Sequence, residues 1–161
     1  MIALPRSPSG VVALTARWCL AAFFVSAGYF KALNPAAFLM DVRSFQLLDD
    51  PWAAWLAMSL PWLEILCGLA LVSGILLDGA ILTITGMLSA FLAAILYSWH
   101  RGIDLQCGCF GESPDVSNYR ELITRDVLLL ATAIALLAYR WHLSRQPGPP
   151  APRAPDSPAG T

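Results

Sequence analysis

Four nearly uninterrupted apolar runs, Val11 to Leu33, Trp52 to Leu77, Gly79 to Trp99 and Leu122 to Trp141, occupy most of the 161-residue chain. At 1.5 Å rise per residue each, taken as a helix, reaches about the roughly 30 Å thickness of a bilayer's hydrocarbon layer. No polar residues recur in them at a helical or strand period, so these helices have no stripe to turn toward water. Charges interrupt them sparingly: Arg17 and Lys31 in the first, Glu64 in the second, none in the third, and Arg125, Asp126 and Arg140 toward the ends of the fourth. The expected fold is therefore all-α, a polytopic four-transmembrane-helix bundle seated in the lipid bilayer.

Composition narrows the function classes. Only 13% of residues are charged, against about a quarter in soluble domains. A net charge of -1 leaves no basic surface for counterion release, so no nucleic-acid partner is expected. Residues 1–10 read as an N-terminal tail and 11–143 as the membrane domain. The stretch 144–161, with six prolines after Gln146, reads as a disordered tail. A cleaved signal peptide is the competing reading of the first run. That run is longer than the usual 7 to 15 residue apolar region and ends in Phe30-Lys31 rather than at a small-residue cleavage site, so a retained helix is expected.

Charge counting does not settle orientation. Arg6, Arg17, Arg140, Arg145 and Arg153 fall on one side of a four-span protein, and Lys31, Arg43, Arg101, Arg120 and Arg125 on the other. Because the first helix often dominates and opens with Arg6 and Arg17, the expectation is cytoplasmic termini in a cell inner (plasma) membrane. The loop before the last span then faces the periplasm or cell exterior.

That loop holds the most specific chemistry. Cys107-Gly108-Cys109-Phe110-Gly111 sets two thiols two residues apart, with a glycine between them that permits a sharp bend. Two extended residues span roughly 6.6 to 7.2 Å, while a disulfide needs Cα atoms about 4.4 to 6.8 Å apart, so the pair bridges only where the chain bends. A small, strained ring is readily reduced, which suits exchange better than permanent stapling. Arg101 or Arg120 could favour the thiolate by folding over the loop. A static disulfide, a metal site and two reduced thiols are the alternatives. For a metal, Cys-x-Cys supplies two ligands and His100 a conceivable third, with the fourth missing.

Glu64 is costly near the centre of a span and marks a site by default, such as a proton relay or a quinone contact. Counted from Trp52 it lies about 18 Å deep, and Arg17, counted from Val11, about 9 Å from the opposite face. The two then differ by roughly 3 Å in height, and the favoured expectation is an Arg17–Glu64 pair clipping the first two spans together. Lys31 and Asp126 sit near the end from which the cysteine loop leaves, where a charge pair could orient it. The same counting leaves Cys19 and Cys67 within roughly 4 Å in height, which allows a second dithiol, although buried cysteine more often simply packs. Gly68, Gly74, Gly79 and Gly86 read as sites of close helix packing. Trp52, Trp55, Trp99 and Trp141 read as interfacial anchors.

Several of these residues carry a family resemblance. Ala27-Gly28-Tyr29-Phe30-Lys31-Ala32-Leu33-Asn34-Pro35, Pro61-Trp62-Leu63-Glu64 with Gly68 and Gly74, the Cys107–Gly111 loop and Arg125-Asp126 together resemble the MauE/DoxX family of small four-helix membrane proteins, most closely its MauE branch. The likeness runs from about Arg17 to Trp141. It implies a redox accessory that supports disulfide formation or maturation of a periplasmic partner, of the methylamine dehydrogenase type. The implied redox pair is Cys107 and Cys109, and the implied partner a thioredoxin-like or oxidoreductase protein. No flavin, haem or nucleotide motif occurs, so electrons have to come from a partner protein or a quinone. The alternative function is a non-catalytic membrane subunit or assembly factor whose cysteine loop is structural or metal-binding.

Overall fold

The computed structural model describes residues 8–102 and 119–145, and every regular element among them is an α-helix. These are α1 (Pro8–Leu33), α2 (Pro35–Ser44), α3 (Trp52–Ser73), α4 (Leu77–His100) and α5 (Tyr119–Ser144). All but α2 are long and apolar enough to cross a membrane. Helix α1 packs on α3 and α5, and α4 on α3 and α5, so the four spans close into a bundle with α2 lying against α3 and α1. Its core is formed by residues such as Leu20, Phe24, Leu71, Ile84 and Leu88.

The outer surface is as apolar as the core. Between 22% and 33% of each span is buried, and the outward faces present Trp52, Trp55, Trp62, Leu66, Leu82 and Leu128. In water such a surface would be an aggregation liability; in lipid it matches its solvent. Seven hydroxyls on these helices need no external partner. Thr15, Ser59, Thr83, Thr85, Ser89, Thr124 and Thr132 each donate to the carbonyl four residues back, so a polar atom facing lipid stays satisfied within its own helix.

The α1–α3 seam is the closest. A Cβ on Gly28 would lie 2.7 Å from the Pro61 carbonyl oxygen, and one on Gly68 would lie 2.6 Å from Val25 Cγ2 and 3.1 Å from the Ala21 carbonyl oxygen. Glycine at these two positions lets the backbones approach in the small-residue manner of membrane helices.

Two elements differ from the sequence reading. The second span ends at Ser73 instead of continuing to Leu77, because Gly74 adopts the left-handed conformation (φ 77°) and its N–H caps the Ala70 carbonyl. Gly74 is thus a helix terminator and not a packing residue, and the turn to α4 lies at 74–76. In addition, the connection between the first two spans contains α2. The side chain of Asn34 accepts from the N–H of Ala37, and Pro35 stands at the first helical position, a start signal one residue after α1 stops.

Candidate functional site

Four ionisable side chains converge inside the bundle, at the end where α1 and α4 finish and α3 and α5 begin. Lys31 projects from the last turn of α1, and its Nζ lies 2.5 Å from Glu64 Oε1 on α3, with the two side chains 9% and 8% exposed. The same ammonium lies 5.0 Å from the centre of the Phe38 ring, so α2 contributes a cation–π contact on its other side. On α5, Arg125 Nη2 is 3.3 Å from Asp126 Oδ1, and the Asp126 side chain is 2% exposed. Each buried charge thus has an opposite charge beside it, the condition under which ionised groups persist away from water.

The buried hydrogen bonding is incomplete: Ser98 Oγ on α4 has no partner, and neither do two carboxylate oxygens of this cluster. Glu64 Oε2 and Asp126 Oδ2 are buried and have no hydrogen-bond partner. Both residues line a cavity of about 630 Å³, together with Lys31 and Arg125. Its remaining wall is apolar, from Phe23 and Phe24 on α1, Leu60 and Leu63 on α3, and Met87 and Phe91 on α4. Leu47, Leu48, Leu56 and Leu63 also line it and are 38–42% exposed, so the cavity communicates with the apolar flank of the bundle. Gly86 forms part of the α4 wall, and a Cβ there would meet nothing within 4 Å.

The expected Arg17–Glu64 pair is not formed. Arg17 donates instead through Nε to the carbonyl of Leu71 and through Nη2 to that of Val72, 3.0 Å away, and its guanidinium covers Gly74. It therefore serves two of the terminal carbonyls of α3, which have no partner within the helix. Depth counting failed because it aligned the two spans by their ends. The contacts of Gly28 and Gly68 instead set a register shifted by about nine residues, roughly 14 Å, which carries Glu64 to the level of Lys31. The first turns of α3 pass beyond α1 and lie against α2.

Other expectations divide. Lys31 and Asp126, expected as a charge pair, take Glu64 and Arg125 as their ion-pair partners instead, and all four residues line one cavity. Cys19 is exposed and Cys67 buried in the core, and both are free thiols. Cys107, Gly108, Cys109, Phe110 and Gly111 lie outside the described residues, as do the N-terminal residues 1–7 and the proline-rich stretch from residue 146. Among the described residues no three His, Cys, Asp or Glu side chains gather in a metal-binding group. Sequence reasoning missed Phe24, Phe91 and Gly86 as wall residues, since nothing in a uniformly apolar run distinguishes a cavity wall from a lipid-facing position. It also missed the Asp78–Arg140 pair, bonded at 2.7 and 2.9 Å. Its signal was present: an acid in the first turn of α4 and a base near the end of α5, at the same end of the bundle.

Among known proteins, the family described as Methylamine utilisation protein MauE matches residues 9–139, which takes in three spans and most of the fourth. No curated protein and no solved structure matches the chain.

Proposed function

The chain belongs to the MauE family, a methylamine-utilisation-related membrane protein, and from that premise we propose that it is a thiol–disulfide redox accessory. In this reading Cys107 and Cys109 form a disulfide that oxidises a partner on the periplasmic side, the partner being thioredoxin-like or another oxidoreductase. One thiolate of the partner attacks a sulfur of the Cys107–Cys109 bond, which breaks as a mixed disulfide forms. The partner's second thiolate then displaces the remaining cysteine sulfur, so two electrons and two protons pass to the pair. Reoxidation takes the same two electrons and two protons to a protein acceptor or a quinone.

The observation that carries the reading is the Cys107-Gly108-Cys109 spacing in a chain of this family. The reading requires cytoplasmic termini, so that the segment joining α4 to α5 meets an oxidising compartment. The test is thiol trapping in intact cells with a membrane-impermeant maleimide, on a variant lacking Cys19 and Cys67. Label that appears only after mild reduction is the expected result, and Cys107→Ser is expected to leave Cys109 in a trapped mixed disulfide with the partner. Stable membrane protein with no trapped species in either single-serine variant would instead identify a structural or metal-binding loop.

A further inference from the structure

We propose that the cavity enclosed by α1, α3, α4 and α5 is a binding site for an uncharged amphiphile drawn from the bilayer, with an apolar body and a head that donates hydroxyl hydrogen bonds. The inference goes beyond the thiol chemistry and is argued without it, since neither of the two described cysteines, Cys19 and Cys67, lines the cavity.

Three observations define the ligand. First, the volume of about 630 Å³ is that of an ordinary small-molecule site, and the walls are apolar apart from one cluster of polar groups, the usual division between affinity and orientation. Second, the charges in that cluster cancel: Lys31 faces Glu64, and Arg125 faces Asp126. A charged head would enter a low-dielectric site with no free counter-charge, and burial of an unpaired ion is prohibitively costly. The head is therefore neutral. Third, two buried carboxylate oxygens in this cluster, Glu64 Oε2 and Asp126 Oδ2, have no hydrogen-bond partner, and both belong to carboxylates held beside cations. An ionised carboxylate only accepts hydrogen bonds, so what completes the site must donate them. Hydroxyl groups on an uncharged head satisfy all three conditions. The partly exposed Leu47, Leu48, Leu56 and Leu63 on the wall provide the approach from the lipid side.

Two kinds of membrane molecule share this chemistry, a hydroquinone ring on an alkyl tail and a glycerol monoester of a fatty acid. The experiment uses the full chain in lipid nanodiscs and measures equilibrium binding of decylhydroquinone, kept anaerobic, and of monodecanoylglycerol. Each is compared with its own O,O-dimethyl ether, which keeps the shape and tail but has no donor. Hydrogen bonds to charged groups are each strong enough to change affinity by about tenfold or more, so at least one diol is expected to bind about tenfold or more tightly than its ether. Which diol does so identifies the source. Gly86→Leu, which fills the cavity from a position where a Cβ meets nothing, is expected to weaken that binding about tenfold or more. Gly79→Leu, equally open but away from the cavity, is expected to leave it unchanged, and both variants keep the wild-type unfolding transition. Equal binding of diol and ether, no binding of either diol, or binding indifferent to Gly86→Leu would overturn the proposal.

Discussion

Lys31 and Glu64 have both left water, and each depends chiefly on the other for compensation. Removing one partner leaves a buried charge uncompensated, whereas removing both exchanges the pair for packing. Lys31→Met is accordingly expected to lower stability by about 3–5 kcal/mol, and the double variant Lys31→Met/Glu64→Leu to recover most of that loss. Denaturation in mixed micelles, run as a double-mutant cycle, checks it. The parallel cycle on Arg17 and Glu64 is expected to show no coupling, because Arg17 is engaged by the Leu71 and Val72 carbonyls. Strong coupling there would restore the pairing that depth counting favoured. The identity of the important charges was legible in the sequence, since an ionisable group inside an apolar run is conspicuous. Their partners were not, because pairing depends on helix register to within one turn and apolar run ends locate a helix only to within several residues.

Register is a property of elements, and in this bundle glycines set it. Gly28 and Gly68 face backbone and branched side chains of the opposite helix at distances that leave no room for a methyl group, while Gly79 faces open space. Helix propensity alone favours alanine over glycine by about 1 kcal/mol at each of these sites. Packing reverses that sign where the Cβ collides, with overpacking penalties of about 1–3 kcal/mol. Gly68→Ala and Gly28→Ala are therefore expected to destabilise the protein, and Gly79→Ala to be neutral or slightly stabilising, in the same denaturation assay. A stabilised Gly68→Ala variant would mean that α1 and α3 do not meet at this register. The four spans themselves were plain from their apolar length, which leaves few alternatives in a membrane. Two boundaries were not: α3 stops at Gly74 because a glycine there takes a positive φ, and α2 starts at Pro35 because Asn34 caps it. Glycines of identical appearance thus act as seam, terminator and open wall at positions 68, 74 and 86, and only the neighbouring helix distinguishes these roles.

For the whole molecule, four antiparallel spans place the 74–76 turn at one end of the bundle and α2 with the start of α3 at the other. Five basic residues fall on each side, so the positive-inside rule supplies no net preference beyond that of the first helix. Single-cysteine reporters in a cysteine-free background decide the orientation. With cytoplasmic termini, Asp49→Cys is expected to react with an impermeant maleimide on intact cells, and Leu76→Cys, at one of the most exposed positions of the chain, only after the membrane is opened. Labelling of both from outside would contradict the four-span bundle itself, because the two sites are separated by α3. The reverse pattern would preserve the bundle and its cavity but not the proposed exchange reaction. The end of α4 and the start of α5, which flank Cys107 and Cys109 in sequence, lie on the Asp49 side, and a cytosolic setting holds such dithiols reduced. The amphiphile site would stand unaffected in that event, since its ligand enters from within the bilayer and its charged groups pair inside the bundle. Orientation therefore bears on the cysteine pair alone, and ligand binding on the cavity alone, which makes the two readings separable by experiment.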